Sequence, residues 1–172
     1  MEQLVRDARI NMIYEGTNGI QALDLLGRKI LQDNGAKLKV FAKHVQAFVE
    51  ANAANAEMMP FIAPIMKLGD TITKVTTEVG MKAFSNADEV GAASVDYLRL
   101  VGHLVYGYFW AQMAKIAMDK IAADGDAVEP FYKAKLMTAQ FYFDKLFPET
   151  AGLVAKIRTG GKSVMQMEEV LF

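Results

Sequence analysis

No part of this sequence alternates apolar and polar residues with the period of two that a half-buried strand needs. Apolar residues recur instead at three- and four-residue spacings almost throughout, which places them on one face of a helix. The four prolines fall near the ends of such stretches and glycines punctuate them. With 172 residues, half of them apolar, there is material for a real core. These features predict an all-α protein: an antiparallel bundle of about four long helices with shorter terminal helices.

The first long helix is expected over Lys37–Glu50, with Leu38, Phe41, Ala42, Val45, Phe48 and Val49 on its buried face. A linker around Ala51–Glu57 precedes Pro60, which suits a first helical turn, and Pro64, which is expected to end that turn or bend it. A second helix then runs to about Ala87, its stripe being Ile62, Ile65, Met66, Gly69, Ile72, Thr76, Val79 and Ala83. Ser85 and Asn86 followed by Asp88 and Glu89 mark the start of a third, because short polar caps and carboxylates satisfy free N–H groups there. It is expected to end at Asp124, Gly125 and Asp126, and its wide apolar face (Tyr97, Val101, Leu104, Val105, Tyr108, Phe109, Ala117) suits the central helix of a bundle. A fourth starts near Pro130 with Ala134, Met137, Phe141 and Leu146 on one stripe. A shorter helix spans Pro148–Arg158, stopped by Gly160 and Gly161. The segment SVMQMEEVLF closes the chain.

Charge and composition exclude several roles. Nineteen lysines and arginines are interspersed with twenty acids, so there is no basic footprint for nucleic acid or an anionic membrane. The absence of cysteine removes disulfides, thiolate nucleophiles and thiolate metal sites. No apolar run approaches the roughly 20 residues of a membrane span, and MEQLVRDARI lacks the apolar stretch of a signal peptide. A soluble, cytoplasmic protein is expected. The two histidines, His44 on a polar helix face and His103 on the apolar third helix, lack partners at ligand spacing, so no metal site is predicted.

One stretch departs from the bundle pattern. Helix-like text over Glu2–Ile13 meets Gly16, Thr17, Asn18 and Gly19, and a helical rhythm resumes with Ile20, Leu23, Leu26 and Ile30 as far as Asn34 and Gly35. Glycine at such a break takes left-handed backbone angles, and threonine or asparagine caps the next helix. On these grounds alone Glu15 is a solvated acid on a turn. The run RDARINMIYEGTNGIQ is more particular, however. It resembles, without a gap, the R-D-x-R/K-I-x-x-I-Y-E-G-T signature that closes the catalytic domain of flavin-dependent acyl-CoA dehydrogenases, with Ile20 and Gln21 matching the start of the helix that follows it.

The resemblance implies roles residue by residue. Glu15 matches the general base, Tyr14 and Gly16 the substrate-binding positions, and Thr17, Asn18 and Gly19 the segment that touches FAD. Gly19 stands where many members have glutamine, which leaves backbone contacts to the flavin at that position. The implied reaction oxidises an acyl-CoA thioester to the 2-enoyl-CoA. It needs a carboxylate near the α carbon, made more basic by a dry pocket, while hydride leaves the β carbon. The implied partners are acyl-CoA and electron-transferring flavoprotein, in a homo-oligomer.

In this family a strand-rich middle domain supplies most of the flavin wall, and no segment here reads as strands. Residues 1–34 are therefore expected to be the tail of a catalytic helical domain, and 35–172 a helical extension like that of larger members. Taken alone, such a C-terminal piece is expected to be inactive, with Tyr14, Ile20, Leu23 and Leu26 exposed and available for self-association. A bundle that serves oligomerisation or small-molecule binding without catalysis is the alternative. Tyr108, Phe109 and Trp110 are expected to pack in the core, and Gly102 and Gly107 to allow close helix approach.

Overall fold

The computed structural model describes residues 1–125 and 129–171, and among them there are helices and turns but no strand. Helix α1 (Glu2–Arg9) continues as a 3₁₀ turn, Ile10–Met12; α2 (Asn18–Leu23) continues as a π-helical stretch, Asp24–Leu31. The long elements are α3 (Ala36–Asn52), α4 (Met59–Ala83) and α5 (Asp88–Asp124). After them come α6 (Pro130–Phe141), prolonged by a π turn at Tyr142–Leu146, then α7 (Glu149–Thr159) and the short α8 (Lys162–Met165). The protein is an all-α bundle in which α5 is the hub, packing against α2, α4, α6 and α7.

Local chemistry explains the boundaries. Asn34 and Gly35 both adopt positive φ, which turns the chain out of the π stretch, and the Asp33 carboxylate accepts the N–H groups of Ala36 and Lys37 at the start of α3. The Lys37 ammonium, 3.0 Å from Asp33, holds that carboxyl below the usual carboxylate range. Asn86 Oδ1 accepts the Asp88 N–H at the start of α5, and the Glu89 carboxylate reaches across to accept the Gly161 N–H at 3.1 Å. Glu89 is thus more than a helix-end charge: it ties the start of α5 to the turn after α7. Gly160 ends α7 with φ +74°.

Leu26, Ile30, Ile65, Ile72, Val75, Tyr97, Leu100, Ala111 and Ala114 form the heart of the core. The Tyr97 hydroxyl, deep inside, is paired with Thr76 Oγ1 at 2.6 Å. Gly107 lets α5 meet the Phe147 ring: a Cβ there would lie 2.9 Å from a ring carbon. Gly102, by contrast, has nothing within 4 Å, so only one of the two glycines serves close approach. Tyr108 makes T-shaped contacts with Phe41 and Phe48, and Trp110 stacks on Tyr142, whereas Phe109 is half exposed.

Several expectations are corrected. Pro64 neither ends a helix nor separates one, since α4 runs through it; early in the helix it removes a single N–H, whose partner would be the Pro60 carbonyl. The α4 stripe is carried by Phe61, Leu68 and Val75 in addition to Ile62, Ile65, Ile72 and Val79, while Met66 is exposed, and the helix stops at Ala83 rather than Ala87. In α6 the predicted stripe faces outward: Ala134, Met137, Phe141 and Leu146 are exposed, and Ala139, Tyr142, Phe143 and Phe147 are buried. Ala42 of α3 is likewise exposed. Leu26, expected at the surface, is fully buried. At the predicted end of α5, Asp124 and Gly125 behave as expected and Asp126 lies outside the described residues, as does Phe172 of the last segment.

Candidate functional site

The break between α1 and α2 forms as its residues dictate. The N–H groups of Ile13 and Tyr14 both return to the Ile10 carbonyl, at 3.1 and 3.2 Å, which closes the 3₁₀ turn. Gly16 then takes φ +73°, a conformation that a Cβ disfavours. Thr17 follows as the N-cap, and the first turn of α2 is closed by the Gln21 N–H on the Thr17 carbonyl at 3.0 Å. The Thr17 hydroxyl makes no capping bond, contrary to the expected threonine cap, so the first-turn N–H groups receive no acceptor from it.

The six residues that the resemblance implies, Tyr14 to Gly19, lie together on this turn and the start of α2. Tyr14, Glu15, Gly16, Asn18 and Gly19 are exposed and Thr17 is half buried. Among the described residues Glu15 engages no side chain in a hydrogen bond or ion pair. Around it the surface is apolar: Ile13 is 77 % exposed, Tyr14 60 % and Ile20 63 %, with Met12 and Leu23 beside them in sequence. Helix α1 buries none of its residues. Exposed apolar clusters of this kind mark surfaces built to meet another one.

The turn has room for a ligand to approach its backbone, since a Cβ at Gly16 or Gly19 would meet nothing within 4 Å. It offers an edge rather than an enclosure. Two surface grooves of about 580 and 690 Å³ are lined by none of residues 14–19. The smaller lies between α4 and α7, the larger between the π stretch, α3 and α4.

A second polar cluster was only half visible in the sequence. His103 places Nδ1 3.1 Å from the Tyr142 hydroxyl and Nε2 3.4 Å from Glu149 Oε2, while the other oxygen of that carboxylate, Oε1, pairs with Arg99. Burial, and after it the proximity of Tyr106, pushes the Tyr142 phenol up to about 12. Tyr142 and Glu149 lie 39 and 46 residues beyond His103, so no helical spacing could have linked them. His44 is exposed, and no group of acids and histidines able to hold a metal occurs among the described residues. No described helix is long and apolar enough to cross a membrane.

Comparison with known sequences places these features in a lineage. Residues 41–168 match the family described as "Acetyl-CoA dehydrogenase C-terminal like". The chain is 31 % identical to a broad-specificity linear acyl-CoA dehydrogenase of Mycobacterium tuberculosis, over 100 % of this chain and 29 % of that protein. It is 32 % identical to a 3-methylmercaptopropionyl-CoA dehydrogenase of Ruegeria pomeroyi, over 95 % of this chain and 28 % of the relative. A butyryl-CoA dehydrogenase of Syntrophomonas wolfei is 27 % identical over 99 % of this chain and 28 % of its own length. The chain therefore spans less than a third of the length of these relatives, and what it matches is their C-terminal portion.

Proposed function

This chain belongs to the acyl-CoA dehydrogenase family, whose C-terminal region it represents, and from that premise we propose that it works as the C-terminal part of a longer flavoenzyme that oxidises an acyl-CoA to the 2-enoyl-CoA. Residues 1–34 belong in this reading to the catalytic unit, and 35–172 to a helical extension. The family match beginning at residue 41 and the unburied α1 support that division. The observation that carries the reading is Glu15 itself: a carboxylate on a positive-φ turn, in the family's Y-E-G-T run, surrounded by exposed apolar side chains.

A carboxylate on a turn can project into a pocket supplied by another domain, which one in the middle of a packed helix face cannot do. Covered by such a pocket, Glu15 loses water, becomes more basic, and takes the proton from the α carbon of the thioester. Tyr14 and Gly16 flank it on the substrate side, Tyr14 by its ring and Gly16 by leaving room against the backbone. Thr17, Asn18 and Gly19 fit one edge of an FAD site: the uncapped first turn of α2 leaves N–H groups for an anionic cofactor, and Gly19 leaves space beside them. FAD, when bound, supplies the acceptor for the hydride that leaves the β carbon. Electron-transferring flavoprotein as its re-oxidant and a homo-oligomeric assembly belong to the same proposal.

In the longer enzyme, Glu15→Gln is expected to lower turnover by at least about a thousandfold, the upper part of the range for losing a positioned base, while the flavin stays bound. Stopped-flow reduction of the flavin by acyl-CoA checks this, and near-normal reduction would show that another group is the base. The 172-residue chain alone is expected to take up no stoichiometric FAD and to form no enoyl-CoA. A yellow, turning-over preparation of it would overturn the division of labour.

A further inference from the structure

The larger groove, about 690 Å³, has none of residues 14–19 in its lining and plays no part in the chemistry above. Its walls come from the π stretch Asp24–Leu31, from α3, from the second half of α4 and from Val90 at the start of α5. Ile30, Leu31, Leu38, Met81, Phe84 and Val90 make it apolar, and its rim is uncovered: Phe84 is 94 % exposed and Met81 62 %. Three threonines of α4 also line it, but each spends its hydroxyl proton on its own helix. Thr73 donates to the Gly69 carbonyl, Thr76 to that of Ile72 and Thr77 to that of Thr73.

One charge lines this groove. Among the described residues Lys39 is the sole ionisable one in its lining, with no carboxylate beside it on the walls. Among the described residues its ammonium has no ion-pair partner, and it donates to the Asn34 carbonyl, 3.3 Å away. Gln32 and Asn34, on the turn next to Lys39, supply the remaining polar side chains of that end besides the lysine itself. An apolar trough with one cation beside a polar turn matches a molecule that is aliphatic along its length and anionic at one end. We propose that this groove binds a single-chain anionic amphiphile, its tail against Leu31, Leu38, Met81 and Phe84 and its head on Lys39.

Sodium decanoate, titrated into the 172-residue chain below its micelle concentration, is the probe, read by amide chemical shifts and calorimetry. Saturable binding is expected, with shifts concentrated over residues 30–42 and 73–90. Lys39→Gln is expected to weaken it about tenfold, the loss of one charge-assisted hydrogen bond. Decyltrimethylammonium, with the same tail and the opposite head, is expected to bind at least about tenfold more weakly on the same reasoning. Ala42→Trp, at an exposed lining position, fills the groove and should abolish binding, with circular dichroism confirming the fold of both variants. Absence of saturation, equal binding of the cationic amphiphile, or indifference to Lys39→Gln overturns the proposal. So does sedimentation showing a dimer that Ala42→Trp dissociates and decanoate does not, because the groove would then hold a second copy.

Discussion

The α1–α2 edge and the α5 core are written in similar residues and meet opposite fates. Leu4, Val5, Ile13, Tyr14 and Ile20 at the edge are exposed, while Tyr97, Leu100, Ala111 and Ala114 of α5 are sealed. Helical spacing creates an apolar face in both places, but a face is buried only where a second surface answers it. Helix α5 is answered on several sides, whereas none of the residues of α1 is buried. The edge can therefore be altered with little effect on folding, whereas the core tolerates little, so the proposed site and the stability-bearing core occupy separate parts of the molecule.

Leu26, only thirteen residues from Ile13 in sequence, tests that separation most sharply. Leu26→Ala should lower the unfolding free energy by about 3 kcal/mol, as for other fully buried leucines, measured by denaturant titration. A loss below about 1 kcal/mol would mean that the π stretch is not an integral part of the core. Alkali probes the same core by a different route. A tyrosine whose pKa rises on folding stabilises the fold fully below its unfolded value near 10, and that contribution is lost as pH climbs from there to the folded value. For Tyr142 the window is thus pH 10 to about 12, with a loss on the order of 2 kcal/mol that Tyr142→Phe should remove.

A smaller effect is expected at the α5–Phe147 contact. Gly107→Ala gains helix propensity but drives a methyl against a buried ring, and a net loss of about 1 kcal/mol should appear as a lowered melting temperature. A rise would show that Phe147 can move. Smallest of all, Ile13→Ser should stay within about 0.5 kcal/mol. A larger loss would show that the edge packs on the bundle after all.

The sequence made the helices and the site turn readable because both depend on nearby residues. The break at Gly16, the acidic start at Asp88 and the stop at Gly160 follow from backbone geometry and capping within a few positions. The failures lie elsewhere. In α6 the predicted stripe is out of phase before the π turn begins, with Ala134, Met137 and Phe141 exposed and Ala139 buried, and beyond it Tyr142, Phe143 and Phe147 are the residues that face the core. Leu26 is buried because its π stretch packs on α5, a partner more than sixty residues away that local spacing does not reveal. Glu15 stands out in the sequence through its motif, while the Lys39 groove depends on the π stretch, α3, α4 and Val90 of α5 meeting and leaves no local trace.

The central position of α5 bears on how the chain is made. As the polypeptide leaves the ribosome, α2, α3 and α4 emerge before α5, and the stripe of Ile72, Val75 and Val79 stays wet until residues 88–124 follow. During synthesis the nascent chain is thus a ready client for chaperones that hold apolar helices, and release should become productive only once the hub helix has cleared the exit tunnel.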